Sequence, residues 1–136
     1  MIGIVLTAHG EMANGLIDSA SMIVGPIDKI RSVVLREGES PETMREEIRE
    51  AVSSLDDGEG VLILLDLFGG TPSNVCGVLT RELNIEVVSG VNLPMLLEVV
   101  LNRESKSLRE IREVAVGAGK KGIVSVNEIV EKIKPP

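Results

Sequence analysis

The chain has 136 residues, of which 43% are hydrophobic and 26% charged, a balance typical of one globular domain and not of a disordered or membrane protein. Its net charge is -7 and Phe68 is its one aromatic residue, so the composition argues against nucleic-acid binding, which needs clustered positive charge and base-stacking platforms. The amino terminus lacks a basic segment before its apolar run, and the longest apolar stretch is far shorter than the roughly 20 residues needed to cross a bilayer, so we expect a cytoplasmic protein.

Short apolar runs alternate along the chain with segments of helical period, which is typical of an α/β fold. The first strand is predicted over residues 2–8, and the helix that follows, over 15–24, ends at a Gly-Pro pair. The second strand is predicted over 30–35. A helix over 42–55 comes next, opened by a capping serine and a first-turn proline. The third strand, 61–65, is continuously apolar, as expected for a parallel strand that is buried on both faces.

The same alternation continues in the second half of the chain. A helix is predicted to begin at Thr71-Pro72 and to run to about residue 83, and a fourth strand is predicted over 85–89. An Asn-Leu-Pro sequence then opens a helix that runs through Leu101.

The carboxyl-terminal part contains one more helix, one strand and a tail. The helix is opened by a Ser-x-x-Glu capping box at residue 107 and is predicted to end near Gly117 or Gly119. A short strand is predicted over 123–126 and a short terminal helix over 127–136. No linker interrupts the sequence, so residues 1–136 are predicted to form a single domain.

The order of these elements predicts how the sheet is arranged. Right-handed crossovers between parallel strands, with helices on both faces, favour a three-layer doubly wound α/β fold whose mostly parallel sheet has the strand order 2-1-3-4. The first and third strands then lie side by side at the centre, and ligands bind at the carboxyl ends of such strands. Because His9 and Asp66 follow these two strands, we expect them to meet at one site.

The residues at this edge combine a possible nucleophile with a possible anion-binding site. A carboxylate beside an imidazole fixes the tautomer of the ring and leaves its other nitrogen free as a nucleophile. Gly69 and Gly70 permit a tight turn, and a helix that starts at Thr71 points free N–H groups and its positive dipole end toward the same crevice. Such a terminus suits phosphate, and the hydroxyls of Thr71 and Ser73 are further donors.

Plainer interpretations apply to the same residues. A lone histidine after a strand is more often structural than catalytic, Asp66 could cap the turn that follows it, and the two glycines could form only a tight connection. Metal binding is poorly supported, since one histidine and one cysteine give no ligand cluster, and Cys76 lies among apolar residues as a buried thiol would. No G-x-S-x-G serine-hydrolase elbow is present. The convergence of nucleophile, carboxylate and helix start at one edge favours a functional site.

Three segments resemble the signatures of the mannose-family enzyme IIA (EIIA) domain of the bacterial phosphoenolpyruvate-dependent sugar phosphotransferase system (PTS). They are residues 4–10 (IVLTAHG), 65–74 (LDLFGGTPSN) and 90–96 (GVNLPML), and the similarity extends from residue 1 to about 125. The family usually has a bulky residue where Ser73 stands. The resemblance implies a doubly wound domain whose last strand, here 123–126, is exchanged across a homodimer.

The resemblance also implies a role for the site. His9 would be the phosphoryl-accepting nucleophile of a phosphotransferase, and Asp66 would be its hydrogen-bonded partner, with no metal or other cofactor. The phosphoryl group would come from the carrier protein HPr and pass to an enzyme IIB (EIIB) component during sugar uptake, with the membrane components EIIC and EIID as indirect partners. We expect an apolar rim that excludes water during docking, formed by Met12, Leu67, Phe68 and Met95.

Other functions stay open at this point. A phosphatase-like hydrolase that uses the same histidine would release phosphate to water, and a regulatory module that senses the relay would contact HPr without passing the group on. The phosphocarrier subunit of PTS-dependent dihydroxyacetone kinase resembles this fold and chemistry, although its motifs match less well. The sequence does not indicate the sugar, because a phosphoryl carrier never touches it.

Overall fold

The computed structural model describes residues 1–133, in which a four-stranded parallel sheet has the order β2-β1-β3-β4. The strands are β1 (Gly3–His9), β2 (Ile30–Leu35), β3 (Val61–Leu65) and β4 (Ile85–Ser89). The predicted parallel pairing and strand order are therefore confirmed. Every residue of β3 is buried, which confirms the interpretation of its continuously apolar sequence.

Six α-helices and a short 3-10 turn complete the described part of the chain. They are α1 (Met12–Val24), α2 (Pro41–Leu55), α3 (Gly70–Leu79), α4 (Leu93–Asn102), the turn Arg103–Ser105, α5 (Leu108–Lys121) and α6 (Val126–Ile133). One face of the sheet packs against α1, α4 and α5, and the other packs against α2 and α3. This is the predicted three-layer doubly wound arrangement.

Alternation along β1 sends its side chains into two separate cores. Ile4 and Leu6 belong to the core under α1, α4 and α5, whereas Val5 belongs to the core under α2 and α3. His9 is the last residue of β1 and lies an even number of positions from Val5, so its side chain projects on the side of α2 and α3. The imidazole is thus on the face of the sheet from which α3 begins.

Two helix boundaries differ from the predictions for local reasons. α1 begins at Met12 and not at Gly15. It starts two residues after Gly10, whose φ of 60° makes the sharp turn out of β1. α3 ends at Leu79 and not near residue 83. There the Thr80 hydroxyl donates to the Gly77 carbonyl at 2.6 Å, and such side-chain bonds compete with continuation of the helix.

The predicted end of the fifth helix at Gly117 or Gly119 is wrong, because α5 continues to Lys121. Gly119 is buried against α4, and a Cβ atom at this position would lie 2.6 Å from Cε of Met95. This glycine therefore allows the two helices to pack closely and does not terminate one of them. The capping box that opens α5 is confirmed.

The predicted strand over 123–126 is not present in the single chain. Residues 123–125 have neither helical nor strand structure, and α6 begins at Val126. A strand needs a hydrogen-bonding partner, and within residues 1–133 none of the four strands pairs with this segment. The predicted terminal helix over 127–136 is confirmed as far as Ile133, and residues 134–136 lie outside the described part.

Candidate functional site

The pairing of the two central strands brings His9 and Asp66 together. Thr7 lies opposite Leu65, the last residue of β3, so β1 extends beyond β3 at their common carboxyl edge. Asp66 follows Leu65 directly, and its backbone N–H donates to the Thr7 carbonyl at 3.2 Å. The carboxyl group is therefore positioned by backbone geometry beside the end of β1.

Asp66 holds both the backbone and the ring of His9. Its Oδ2 atom accepts the His9 backbone N–H at 2.9 Å and lies 2.8 Å from Nδ1, while Oδ1 accepts the Leu67 N–H at 2.9 Å. Burial of the carboxyl, whose side chain is 8% exposed, disfavours ionisation, but the hydrogen bonds from His9 and Leu67 outweigh it. The pKa of Asp66 therefore lies below its ordinary value, and the group is a carboxylate at neutral pH.

This contact fixes the tautomer of the histidine. A carboxylate has no proton to donate, so Nδ1 of His9 carries the ring proton and donates it to Asp66. Nε2 then keeps its lone pair, on a side chain that is 60% exposed. An oriented imidazole with an accessible, unprotonated Nε2 can act as a nucleophile.

The start of α3 lies close behind Asp66 in the chain. Gly69 and Gly70 have φ values of 110° and 75°, which favour glycine and support the prediction of a tight turn. Gly69 is the N-cap residue and makes no side-chain cap, so the first N–H groups of α3 have no side-chain acceptor and carry the positive end of the helix dipole. Thr71 is exposed and Ser73 is half-buried at this end.

The residues predicted as an apolar rim fall into two groups. Met12, Leu67 and Phe68 are exposed, and Phe68, the one aromatic residue of the chain, is 83% exposed. Met95 is 3% exposed and packs in the core against Gly119, so its prediction as a rim residue is wrong. Asn92 caps α4 through the Met95 N–H, and the helix turns the methionine side chain toward α5.

A cleft beside the imidazole involves residues that are absent from the predicted site. It is lined by His9, Gly10, Val34, Leu35, Arg36 and Glu37. Leu35 lies opposite His9 in the sheet, and its carbonyl accepts the Gly10 N–H at 3.3 Å. The predicted strand order already placed the second strand next to the first, and this adjacency was the signal in the sequence for this wall of the site.

Three further features of residues 1–133 bear on the site: possible metal ligands, the cysteine and the length of the helices. Among residues 1–133, no group of three or more histidine, cysteine, aspartate or glutamate side chains is placed to hold a metal ion. The predicted buried thiol is confirmed, and burial raises the pKa of Cys76 to about 12. Over the same range, no helix combines the length and apolar character needed to span a membrane.

Comparison with known proteins gives a consistent result. A family model, EIIA-man, described as the PTS system fructose IIA component, matches residues 3–116. The chain is 30% identical over 135 residues to the fructose-specific EIIA component of the PTS of Bacillus subtilis (strain 168), covering 98% of this chain and 92% of that protein. It is 34% identical over 137 residues to the mannose-specific EIIAB component of Escherichia coli (strain K12), covering 98% of this chain but 42% of that longer protein.

The fold comparison agrees with the sequence comparison. The crystal structure of the phosphotransferase system component EIIA from Streptococcus agalactiae superposes with a TM-score of 0.85 at 32% sequence identity. The match covers 94% of this chain and 99% of the other.

Proposed function

Because this chain belongs to the mannose-type EIIA family of the sugar phosphotransferase system, we propose that it carries phosphoryl groups on Nε2 of His9. The group comes from phospho-HPr and passes to an EIIB component in the cytoplasm, while EIIC and EIID take part indirectly by moving the sugar. The observation that supports this role best is the 2.8 Å contact between Nδ1 of His9 and Asp66, since in the neutral ring it leaves the lone pair on Nε2, and the side chain is 60% exposed.

Each transfer breaks one P–N bond and forms one new bond to phosphorus. The lone pair of His9 Nε2 attacks phosphorus in line, and the imidazole of HPr keeps the electron pair of the bond that breaks. The phosphorylated ring retains its proton on Nδ1 and becomes positively charged, and the Asp66 carboxylate stabilises that charge. Attack on phosphorus by a nucleophile of EIIB then returns the lone pair to Nε2, so His9 is regenerated without a net proton transfer.

The start of α3 is the proposed binding site for the phosphoryl oxygens. The proposed donors are the N–H groups of Gly70 and Thr71 and the hydroxyls of Thr71 and Ser73. The tight turn at Gly69 brings this backbone close to the phosphoryl oxygens. The proposal is supported by the missing side-chain cap and by the positive end of the helix dipole. Neutral donors of this kind stabilise phosphate without trapping it, which a reversible carrier requires.

The test of the proposed function is incubation with phosphoenolpyruvate, enzyme I and HPr, followed by intact mass measurement. A carrier accumulates a phosphorylated form that persists until EIIB is added and then loses its label to EIIB. Rapid loss of the label to water would indicate a hydrolase instead. A persistent label that does not pass to any EIIB would indicate a regulatory module.

We also propose that the chain acts as a homodimer in which the carboxyl-terminal segment of each copy packs on the other. Ile123 and Val124 are exposed, and no residue of α6 is buried in the single chain. The apolar side chains of this eight-residue helix recur at helical spacing, at Val126, Ile129, Val130 and Ile133. Helices this short are marginal in water without packing. Sedimentation equilibrium measures the oligomeric state and would contradict the proposal if the chain were monomeric.

Phe68 is proposed to dock the partner proteins. Replacing Phe68 with alanine should raise the KM for phospho-HPr roughly tenfold, because an exposed aromatic side chain at the site loses its contact with the partner. Steady-state transfer assays with HPr and EIIB measure the change. The matched control is Met22→Ala, which removes an equally exposed apolar side chain far along α1 and should leave the KM unchanged. Normal kinetics of Phe68→Ala with both partners would remove Phe68 from the docking surface.

A further inference from the structure

One residue that lines the cleft beside His9 is a permanent cation, Arg36. It directly follows Leu35, the residue that lies opposite His9 in the sheet. Adjacent strands are about 4.8 Å apart and successive Cα atoms 3.8 Å, so the Cα atoms of Arg36 and His9 are within about 9 Å of each other. A long arginine side chain can cover this distance.

The backbone of Arg36 is fixed, but its guanidinium is held loosely. The backbone N–H donates to Oε2 of Glu39 at 3.2 Å. The side chain is 66% exposed, and Nη1 lies 4.0 Å from Oε1 of Glu47 on α2. An exposed ion pair of this length is weak, so a more highly charged anion nearby can replace Glu47 as the partner of the guanidinium.

The surroundings of Glu47 disfavour its charged form. Burial and the neighbouring Glu39 carboxyl raise the pKa of Glu47, and Arg36 opposes that rise. Glu47 is on α2, which covers the face of the sheet on which His9 projects. The guanidinium of Arg36 therefore lies on the same side of the sheet as the imidazole of His9.

We propose that Arg36 leaves Glu47 and pairs with the phosphoryl group once His9 is phosphorylated, and that this pairing stabilises the phosphorylated form. The inference rests on the proposed function and adds a residue of this chain to it. A phosphoryl group brings roughly two negative charges, and a guanidinium donates paired, charge-assisted hydrogen bonds to its oxygens. Arg36 makes no bond to phosphorus, so the balance of bonds in the transfer step is unchanged.

The experiment measures the equilibrium constant for phosphoryl transfer from HPr to this chain, by intact mass after incubation with phosphoenolpyruvate, enzyme I and HPr. We expect Arg36→Gln to lower the constant roughly three- to tenfold and Arg36→Lys to lower it less, because lysine keeps the charge but loses the paired geometry. Glu47→Gln should change it in the opposite direction, because Arg36 is released from its partner.

The matched control is Arg109→Gln. Arg109 is exposed at the start of α5, next to Leu108, whose side chain reaches Gly60 at the amino end of β3. It therefore lies at the opposite edge of the sheet from His9, and its loss changes the net charge equally. The constant should be unchanged in Arg109→Gln.

Two results would overturn the inference. The first is an equal equilibrium constant in the wild type and Arg36→Gln, and a raised KM for HPr in that variant would then assign Arg36 to partner docking. The second is an equal loss in Arg36→Gln and Arg109→Gln, which would indicate net charge alone. If the wild type took up no phosphoryl group at all, the proposed function would fail as well, so the two failures are distinguishable.

Discussion

Replacing His9 with glutamine should abolish phosphorylation by phosphoenolpyruvate, enzyme I and HPr. The chain has no other histidine, and an amide nitrogen has no lone pair available for attack on phosphorus. Glutamine is chosen because its amide can still donate to Asp66, which preserves the contact that ties β1 to the residue after β3. The loss should therefore be chemical and leave the fold intact, as circular dichroism would check.

Intact mass spectrometry measures the phosphorylated fraction, and the label in the wild type should be acid-labile. Asp18→Asn is a suitable control, since Asp18 is exposed on α1 and makes no side-chain contact with the site in the described structure. It should be phosphorylated at the wild-type rate. A label that survives in His9→Gln would show that another residue carries the phosphoryl group.

Much of the sheet could be predicted because its determinants are local. The apolar run at β3 and the β-branched runs at β2 and β4 indicate strands whatever their surroundings, and their predicted bounds coincide with the observed ones. The strand order follows from chain connectivity and handedness, which restrict the alternatives strongly. The proximity of His9 and Asp66 could be predicted for the same reason, since it depends only on which two strands are neighbours.

The errors arise where packing partners decide the outcome. Gly119 looks like a helix terminator in sequence, but its lack of a side chain makes room for Met95, and the same contact buries a methionine predicted to lie on the surface. The segment 123–125 has the composition of a strand, but within residues 1–133 it pairs with none of the four strands. The cleft wall at Arg36 depends on register, which the sequence pattern alone does not set.

Replacing Asp66 with asparagine should slow phosphoryl transfer roughly 100-fold in each direction. An asparagine amide can donate to Nδ1 of His9, and that hydrogen bond favours the tautomer in which Nε2 carries the proton and has no free lone pair. The neutral amide also fails to stabilise the positive charge of the phosphorylated ring. Since the side chain keeps its size and its remaining oxygen can still accept the Leu67 N–H, as Oδ1 of Asp66 does, the fold should be retained.

The same substitution has a distinct pH signature in stability. The pKa of Asp66 is lower in the folded chain than its ordinary value, so its stabilising contribution is complete above the ordinary carboxyl pKa of about 4 and is lost as the pH falls through the lower, folded value. The difference in the free energy of unfolding between wild type and Asp66→Asn should therefore be largest at neutral pH and shrink in acid. Urea denaturation at a series of pH values measures it.

The control for the kinetic effect is Asp57→Asn. Asp57 also has a lowered pKa, about 2, because Lys29 donates to it at 2.7 Å, but it lies near the amino terminus of the chain at the other edge of the sheet. Rapid-quench measurement of transfer from HPr and to EIIB should show wild-type rates for Asp57→Asn and slow rates for Asp66→Asn. Nitrogen NMR of the His9 ring should show the proton on Nδ1 in the wild type and on Nε2 in Asp66→Asn. Unchanged transfer rates of Asp66→Asn in both directions would remove Asp66 from the mechanism. Slow transfer by Asp66→Asn with the ring proton still on Nδ1 would show that the slow rate comes only from the lost negative charge of Asp66.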